Sequence, residues 1–311
     1  MQPAAVITTP GRRLVFGGLL MWVMVAGTAA VTVIPVIATF VIDDFGISRT
    51  ELGSLGAVVG VLGAFSSPFA GRVTDRIGGR SAAAIVLIGA AVAAALFAIA
   101  PVFAGMFAGA VVAAISGAGG NPSTNKLIAA TFQPGRRGVL TGIKQTGPQI
   151  GGLLAGLLAP WGATAFGWRP TMVVIAGLLV APLPLLFRVI PRDPPRPIGP
   201  EVSPSRLASG IWWVAVYGAL LGFGGGAVFL LPLFIEESLG QTPRVAGLAV
   251  ALLGGVAIAG RLQWARVVDR KATQAPALVV LASIAVAATW SILASRSLIP
   301  ASFKLSGIFV K

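Results

Sequence analysis

Nine long apolar runs separated by short polar joints organise the chain. They cover residues 14–41, 52–71, 81–100, 102–132, 139–160, 170–190, 209–235, 246–264 and 275–295. A helix crossing a bilayer needs about 20 mostly apolar residues, so the pattern predicts nine membrane-spanning helices, spans 1 to 9. Spans 1 and 4 are long enough to tilt. The joints carry the charges and turn residues, as in Asp43-Asp44-Phe45-Gly46, Gly71 to Arg80 and Gln133-Pro134-Gly135-Arg136-Arg137. A last stretch, Leu298 to Lys311, is too short to span and contains Lys304.

Composition sharpens this picture. Hydrophobic residues make up 56% of the 311 positions and charged residues 10%, and the mean hydropathy is +0.91. A soluble domain carries about 25% charge, so an ordinary globular enzyme, a disordered chain and a secreted domain are excluded. The chain has no Cys and no His. That removes disulfides, thiolate nucleophiles, Cys/His metal sites and imidazole relays. No nucleotide motif and no carboxylate pair at depth supports a membrane enzyme, and no cofactor or metal is expected. The first apolar run is too long for a signal-peptide core and is expected to stay as span 1.

The net charge of +14 would suggest nucleic acid in a soluble protein. Its distribution points elsewhere. With the N-terminus inside, fifteen Lys and Arg fall in inner segments and four (Arg49, Arg169, Arg244 and Arg296) in outer loops. That asymmetry predicts a cytoplasmic N-terminus in a multi-pass inner (plasma) membrane protein, with the bilayer and not nucleic acid as partner. The proline-rich stretch 191–208 reads as a stiff cytoplasmic linker. It divides an N-terminal six-span bundle, 1–190, from a partial second bundle, 209–311.

A shift of about 194 residues aligns the two sides of that linker. Spans 1 to 3 fall on spans 7 to 9. Ile42-Asp43-Asp44 falls on Ile235-Glu236-Glu237, and Gly71-Arg72-Val73-Thr74-Asp75-Arg76 on Ala265-Arg266-Val267-Val268-Asp269-Arg270. Two six-span halves form a parallel-repeat transporter plan. Partners for spans 4 to 6 would need residues well past Lys311, where the sequence stops, so it is expected to be a short, truncated or frameshifted form with three spans and a stub in its second half.

The segment Gly71-Arg72-Val73-Thr74-Asp75-Arg76-Ile77-Gly78-Gly79-Arg80 resembles the loop signature of the major facilitator superfamily. Gly71 would allow close helix approach, Asp75 would meet a helix N-terminus or an Arg, and the Arg residues would anchor at headgroups. The plain alternative is a solvated basic loop. The resemblance implies a gating role for Gly71, Asp75, Arg76, Gly78 and Arg80, repeated at Asp269 and Arg270, with Asp75 latching to span 11. Span 5 carries Gly142-Ile143-Lys144-Gln145-Thr146-Gly147-Pro148-Gln149-Ile150-Gly151-Gly152, which resembles the Gly-Pro motif of antiporters in that superfamily. Pro148 should bend the helix. Gly147, Gly151, Gly152 and Gly156 should pack against span 8. A merely kinked and packed helix is the alternative.

Ionisable groups inside a membrane are costly and point to function. Lys126 lies in span 4 within Asn121-Pro122-Ser123-Thr124-Asn125-Lys126, and Lys144 in span 5. The short hairpin between the spans puts both near the inner mouth. With Asn121, Asn125 and Gln145 they could bind an anion; snorkelling of both lysines is the competing reading. No Asp or Glu lies deep in a span, which argues against cationic drugs and leaves no evident proton carrier. Trp168, before Arg169-Pro170, reads as an aromatic-belt anchor, and Thr28, Thr32 and Pro35 as cavity candidates. Gly222 to Gly226 interrupts span 7.

The expected fold is therefore an all-α membrane protein, a major-facilitator-type bundle of about nine spans. The resemblance implies a permease near the cyanate-transporter-like branch, working by alternating access on a small solute. The charges favour an organic anion, with proton coupling an open expectation. The alternatives are a truncated remnant that transports nothing, or a drug/proton antiporter-like efflux protein.

Overall fold

A computed structural model describes residues 10–132, 137–191 and 229–270; the side chains of Pro10, Gly138, Val139 and residues 261–270 lie outside that set. The described residues form helices joined by tight turns. They are α1 (Pro10–Val33), α2 (Ala38–Phe45), α3 (Arg49–Ile77), α4 (Gly79–Ile99), α5 (Phe103–Ala118), α6 (Gly120–Thr131), α7 (Gly138–Gln145), α8 (Gly147–Phe166), α9 (Trp168–Val180), α10 (Leu183–Val189), α11 (residues 229–237) and α12 (Pro243–Arg270). Among the described residues, six stretches are long and apolar enough to cross a membrane: Gly11–Phe45, Arg49–Ile77, Gly79–Ile99, Phe103–Thr131, Trp168–Val189 and Pro243–Gly260. The fifth predicted span is the pair α7–α8. The linker past Pro191, most of span 7 with Gly222 to Gly226, span 9 and the tail lie outside the described residues.

Several predicted spans are each two helices, and the break has a local cause every time. Span 1 tightens to a 3-10 turn at Ile34–Ile37 around Pro35. Span 4 breaks at Gly119, followed by Gly120 and Pro122, and span 5 breaks at Thr146, just before Pro148. Pro122 and Pro148 lack the N–H that would bond the carbonyls of Ala118 and Lys144. Span 6 breaks ahead of Pro182. Continuous hydrophobicity hides these breaks, because a single proline or glycine changes the average of a span-length window little.

The termini use standard chemistry. Ser48 and Glu51 form a capping box at the start of α3: the Glu51 amide donates to Ser48 Oγ at 3.2 Å, and the Ser48 amide donates to Glu51 Oε2 at 2.7 Å. Gly78 turns α3 into α4 at φ +89°, a conformation side chains resist.

Residues up to Gly255 form one compact unit, and the chain from Val256 is a second, of which the end of α12 is described. In the first unit α4 packs between α5 and α9, α3 lies on α5, and α1 lies against α8, α4 and α7. Small residues permit this. A Cβ on Gly117 of α5 would run into the Gly27 carbonyl of α1. The core is mostly Ala, Val and Leu, so close backbone packing replaces large side chains.

Two expectations are corrected here. Among the described residues nothing lies within 4 Å of a Cβ built on Gly71; the close approach falls at Gly79, where a Cβ would sit 2.9 Å from the Ser123 carbonyl. Gly71 is still inside α3, and the turn comes at Gly78. Trp168 is a core residue at 6% exposure and no belt anchor, edge-on to Phe45 at 6.0 Å. Thr28 and Thr32 spend their hydroxyls on their own helix, donating to carbonyls three and four residues back.

Candidate functional site

The breaks in spans 4 and 5 put polar groups side by side. Because α6 restarts at Gly120, Asn121 and Thr124 face α7 one turn apart. Lys144 lies in the last turn of α7. It is fully buried at 0% exposure. Its Nζ donates to Asn121 Oδ1 at 3.0 Å and to Thr124 Oγ1 at 2.9 Å. Thr124 can accept because its own hydroxyl donates to the Gly120 carbonyl at 2.7 Å. Among the described residues no carboxylate reaches this ammonium, and two acceptors serve its three donors.

Asn121 is exposed, and Gln145 Nε2 also donates to its Oδ1 at 3.3 Å. The buried ammonium therefore lies directly under an exposed carboxamide. Asn125 is exposed one turn further along α6. This face adjoins the seam between α8 and α12: a Cβ on Gly254 would sit 2.6 Å from the carbonyl of Gln149, one turn past Gln145. Further along the seam, Gly156 and Gly247 lie backbone to backbone. Span 5 thus packs on span 8 through Gly156, as its sequence suggests. Gly147 packs instead on α1, where a Cβ would lie 2.5 Å from the Met21 carbonyl, and Gly151 lies on Val25. A Cβ built on Gly152 would meet nothing within 4 Å among the described residues.

Lys126 does not join Lys144. Its Nζ donates to the carbonyls of Thr74 and Asp75, at 3.0 and 2.9 Å, and reaches Asp75 Oδ1 at 3.5 Å. It neutralises the C-terminal end of α3, where a cation is favoured. Among the described residues, then, the acid of the loop motif pairs with Lys126 of α6. Nearby, Arg80 stacks on Phe187 at 4.8 Å, and Arg76 lies in the last turn of α3. The backbone of Asp269 and Arg270 ends α12, and their side chains lie outside the described set.

At the opposite end is a second cluster that hydropathy did not mark. Arg169 donates through Nε and Nη2 to Asp44 Oδ2, at 3.2 and 2.8 Å, and through Nη1 to the carbonyls of Ala98 and Ala100. Its guanidinium lies over Trp168 and Phe45. Arg49 pairs with Glu237, and Thr39 Oγ1 donates to Glu236 Oε2 at 2.7 Å. Glu236, at an outer span end in the sequence, is buried at 8% exposure, with Thr39 of α2 against it.

A family description, Major Facilitator Superfamily, matches residues 19–310. The chain belongs to the major facilitator superfamily. Among curated relatives, a probable nitrate/nitrite transporter NarK2 of Mycobacterium tuberculosis is 30% identical over 280 residues, covering 85% of this chain and 68% of the relative. A hexuronate transporter of Bacillus subtilis is 28% identical over 152 residues, 47% of this chain and 35% of that protein. Among solved structures, a bacterial homolog of the human lysosomal transporter Spinster, inward-facing and occupied, superposes with TM-score 0.68 at 21% identity, covering 84% of this chain and 62% of that one. A D-xylose–proton symporter gives 0.61 at 17% identity, covering 83% and 68%. The superfamily fold is thus a helical membrane bundle, and the chain spans less than two thirds of the Spinster homolog's length.

Proposed function

We propose that this superfamily member is a secondary transporter of a small oxygen-bearing anion, a carboxylate or nitrate-like ion, and that Lys144 is its charge partner. One observation carries the reading: a fully buried ammonium with neutral acceptors and no described carboxylate. A buried charge is kept by pairing, and the counter-charge that suits this site is an anion arriving past Asn121 and Gln145. Asn125 extends the polar approach. Two relatives, a probable nitrate/nitrite transporter and a hexuronate transporter, are named for such anions. Lys126, spent on α3, is a positioning residue in this reading, not a ligand.

In the conformation described, Lys144 is sealed, so access requires movement. The α8–α12 seam supplies an element on which the halves could rock, and Pro148 supplies a break in the backbone at the site. The Lys/Arg asymmetry supports an inner-membrane protein with a cytoplasmic N-terminus. That puts Asp43, Asp44 and Glu236 outside and Arg72 to Arg80 inside.

The test is anion binding by the purified chain, read as a rise in thermal midpoint with nitrate, nitrite or a hexuronate, together with uptake into proteoliposomes. Binding in the wild type that is lost in Lys144→Ala and kept in Lys126→Ala supports the reading. No binding of any of the three anions overturns it.

A further inference from the structure

The outer end carries a titratable group that anion recognition does not use. Glu236, one residue past the seventh apolar run, is the carboxylate among the described acids that the fold buries. Its Oε2 accepts from Thr39 of α2, and its Oε1 is buried with no hydrogen-bond partner among the described residues. An unpaired buried anionic oxygen is costly, and a proton removes most of that cost.

The charged groups around it do not neutralise it. On α11, Glu237 is next in sequence. On α2, Asp43 faces the same region, while Asp44 is taken by Arg169. On α3, Arg49 is turned to Glu237, and Glu51 is held by Ser48. Burial pushes the Glu236 carboxyl up, the Thr39 hydroxyl pulls it down, and Glu237 and Asp43 push it up again. The contact also bridges halves. Thr39 lies 197 positions before Glu236, Arg49 lies 188 before Glu237, and the Phe229 ring lies 3.0 Å from where a Cβ on Gly56 of α3 would be.

We propose that Glu236 is a proton-binding site at the outer seam, which holds α11 against α2 and α3 when protonated and releases it when ionised. The proposal rests on the transporter reading above, in which the bundle must move. The sign follows from linkage. A carboxyl that binds its proton more tightly in the closed seam than in water favours the closed seam at low pH. That preference is lost as pH rises through the seam value.

The chain has no Cys, so a pair of spin labels can be introduced cleanly at Thr50→Cys and Gln241→Cys, both exposed positions flanking the seam. In the purified chain in nanodiscs, the short-distance population should fall as pH rises, with a midpoint above the usual carboxylate range. Glu236→Gln, a neutral isostere, should keep the short distance at every pH. Glu237→Gln should keep a titration, and Thr39→Val, which removes the one donor to the carboxylate, should move its midpoint up. A distance insensitive to pH in the parent, or an unchanged titration in Glu236→Gln, overturns the proposal. The readout needs no substrate: a titrating seam without anion binding would overturn the transporter reading and leave the proton site standing. Anion binding with a pH-independent seam would do the reverse.

Discussion

Lys126 of α6 donates to the backbone carbonyl of Asp75, 2.9 Å away at the end of α3. The bond matters more through the carbonyls than through the ion pair. The Asp75 side chain is 58% exposed and its Oδ1 is 3.5 Å off, where an exposed pair contributes about 0–1 kcal/mol. Two charge-assisted bonds to terminal carbonyls contribute more, on the order of 1.5–3 kcal/mol each at most. Lys126→Met should therefore lower the thermal midpoint, whereas Asp75→Asn should change it little. Neither should abolish anion binding; if Lys126→Met did so while leaving the fold intact, Lys126 would be a ligand after all.

Lys144 should behave in the opposite way. Replacing even a buried ion pair by apolar side chains of similar volume is often neutral or stabilising by about 1–4 kcal/mol, and a buried ammonium without a counter-charge has less to lose. Lys144→Met should hold or raise the midpoint of the protein without ligand. It should also erase the stabilisation by anion, which at a hundred times the dissociation constant is about 2.7 kcal/mol in the parent. Thermal melts with and without nitrate separate the two effects. Thr124→Val, which removes one acceptor from the ammonium, should lower the midpoint of the unliganded protein, because the charge remains and its partner does not.

The α8–α12 seam predicts a contrast between neighbouring glycines. A Cβ on Gly156 meets the Gly247 carbonyl and lies 2.8 Å from the Ala251 amide, whereas one on Gly152 meets nothing described within 4 Å. Backbone cannot rotate aside as a side chain can. Gly156→Ala should cost roughly 1–3 kcal/mol as an overpacked contact. Gly152→Ala should be close to neutral or slightly stabilising, because Ala is the better helix former. Melting curves of the two variants in the same detergent decide it.

Hydropathy was enough for the bundle because a bilayer demands long apolar helices and little else. Hydropathy alone does not show the helix breaks; the one at Thr146 was legible from Pro148, whereas the one at Gly119 was not. The intramembrane charge rule picked out Lys144 correctly as a buried group, and it grouped Lys126 with it on depth alone. Depth does not fix azimuth: the two lysines are on helices restarted by different breaks, and one turns to α3 while the other turns inward. Glu236 was missed for a related reason. It closes an apolar run beside Glu237 and Ser238, where a span end is expected to meet water, and the contact that covers it is with Thr39, 197 positions away. A period-based reading has no term for that contact, although the internal repeat that set Asp43 and Glu236 in equivalent positions was a usable hint.

The same blindness applies to Arg169, whose fork is fully used. Two of its nitrogens take Asp44 and a third takes the carbonyls of Ala98 and Ala100, which close α4, while the plane lies 4.6 Å from the Trp168 ring centre. One side chain thus ties α2, the end of α4 and the start of α9 together. Lysine keeps the charge but has neither the planar fork nor the stacking surface. Arg169→Lys should cost about as much as one or two charge-assisted bonds, roughly 1.5–3 kcal/mol each. Asp44→Asn should cost less, because the carbonyl contacts and the stacking survive. If the site were only an exposed ion pair, both variants would fall within the ~1 kcal/mol of such pairs and shift the midpoint equally, so unequal shifts in the melts of the two proteins identify Arg169 as a three-way tie.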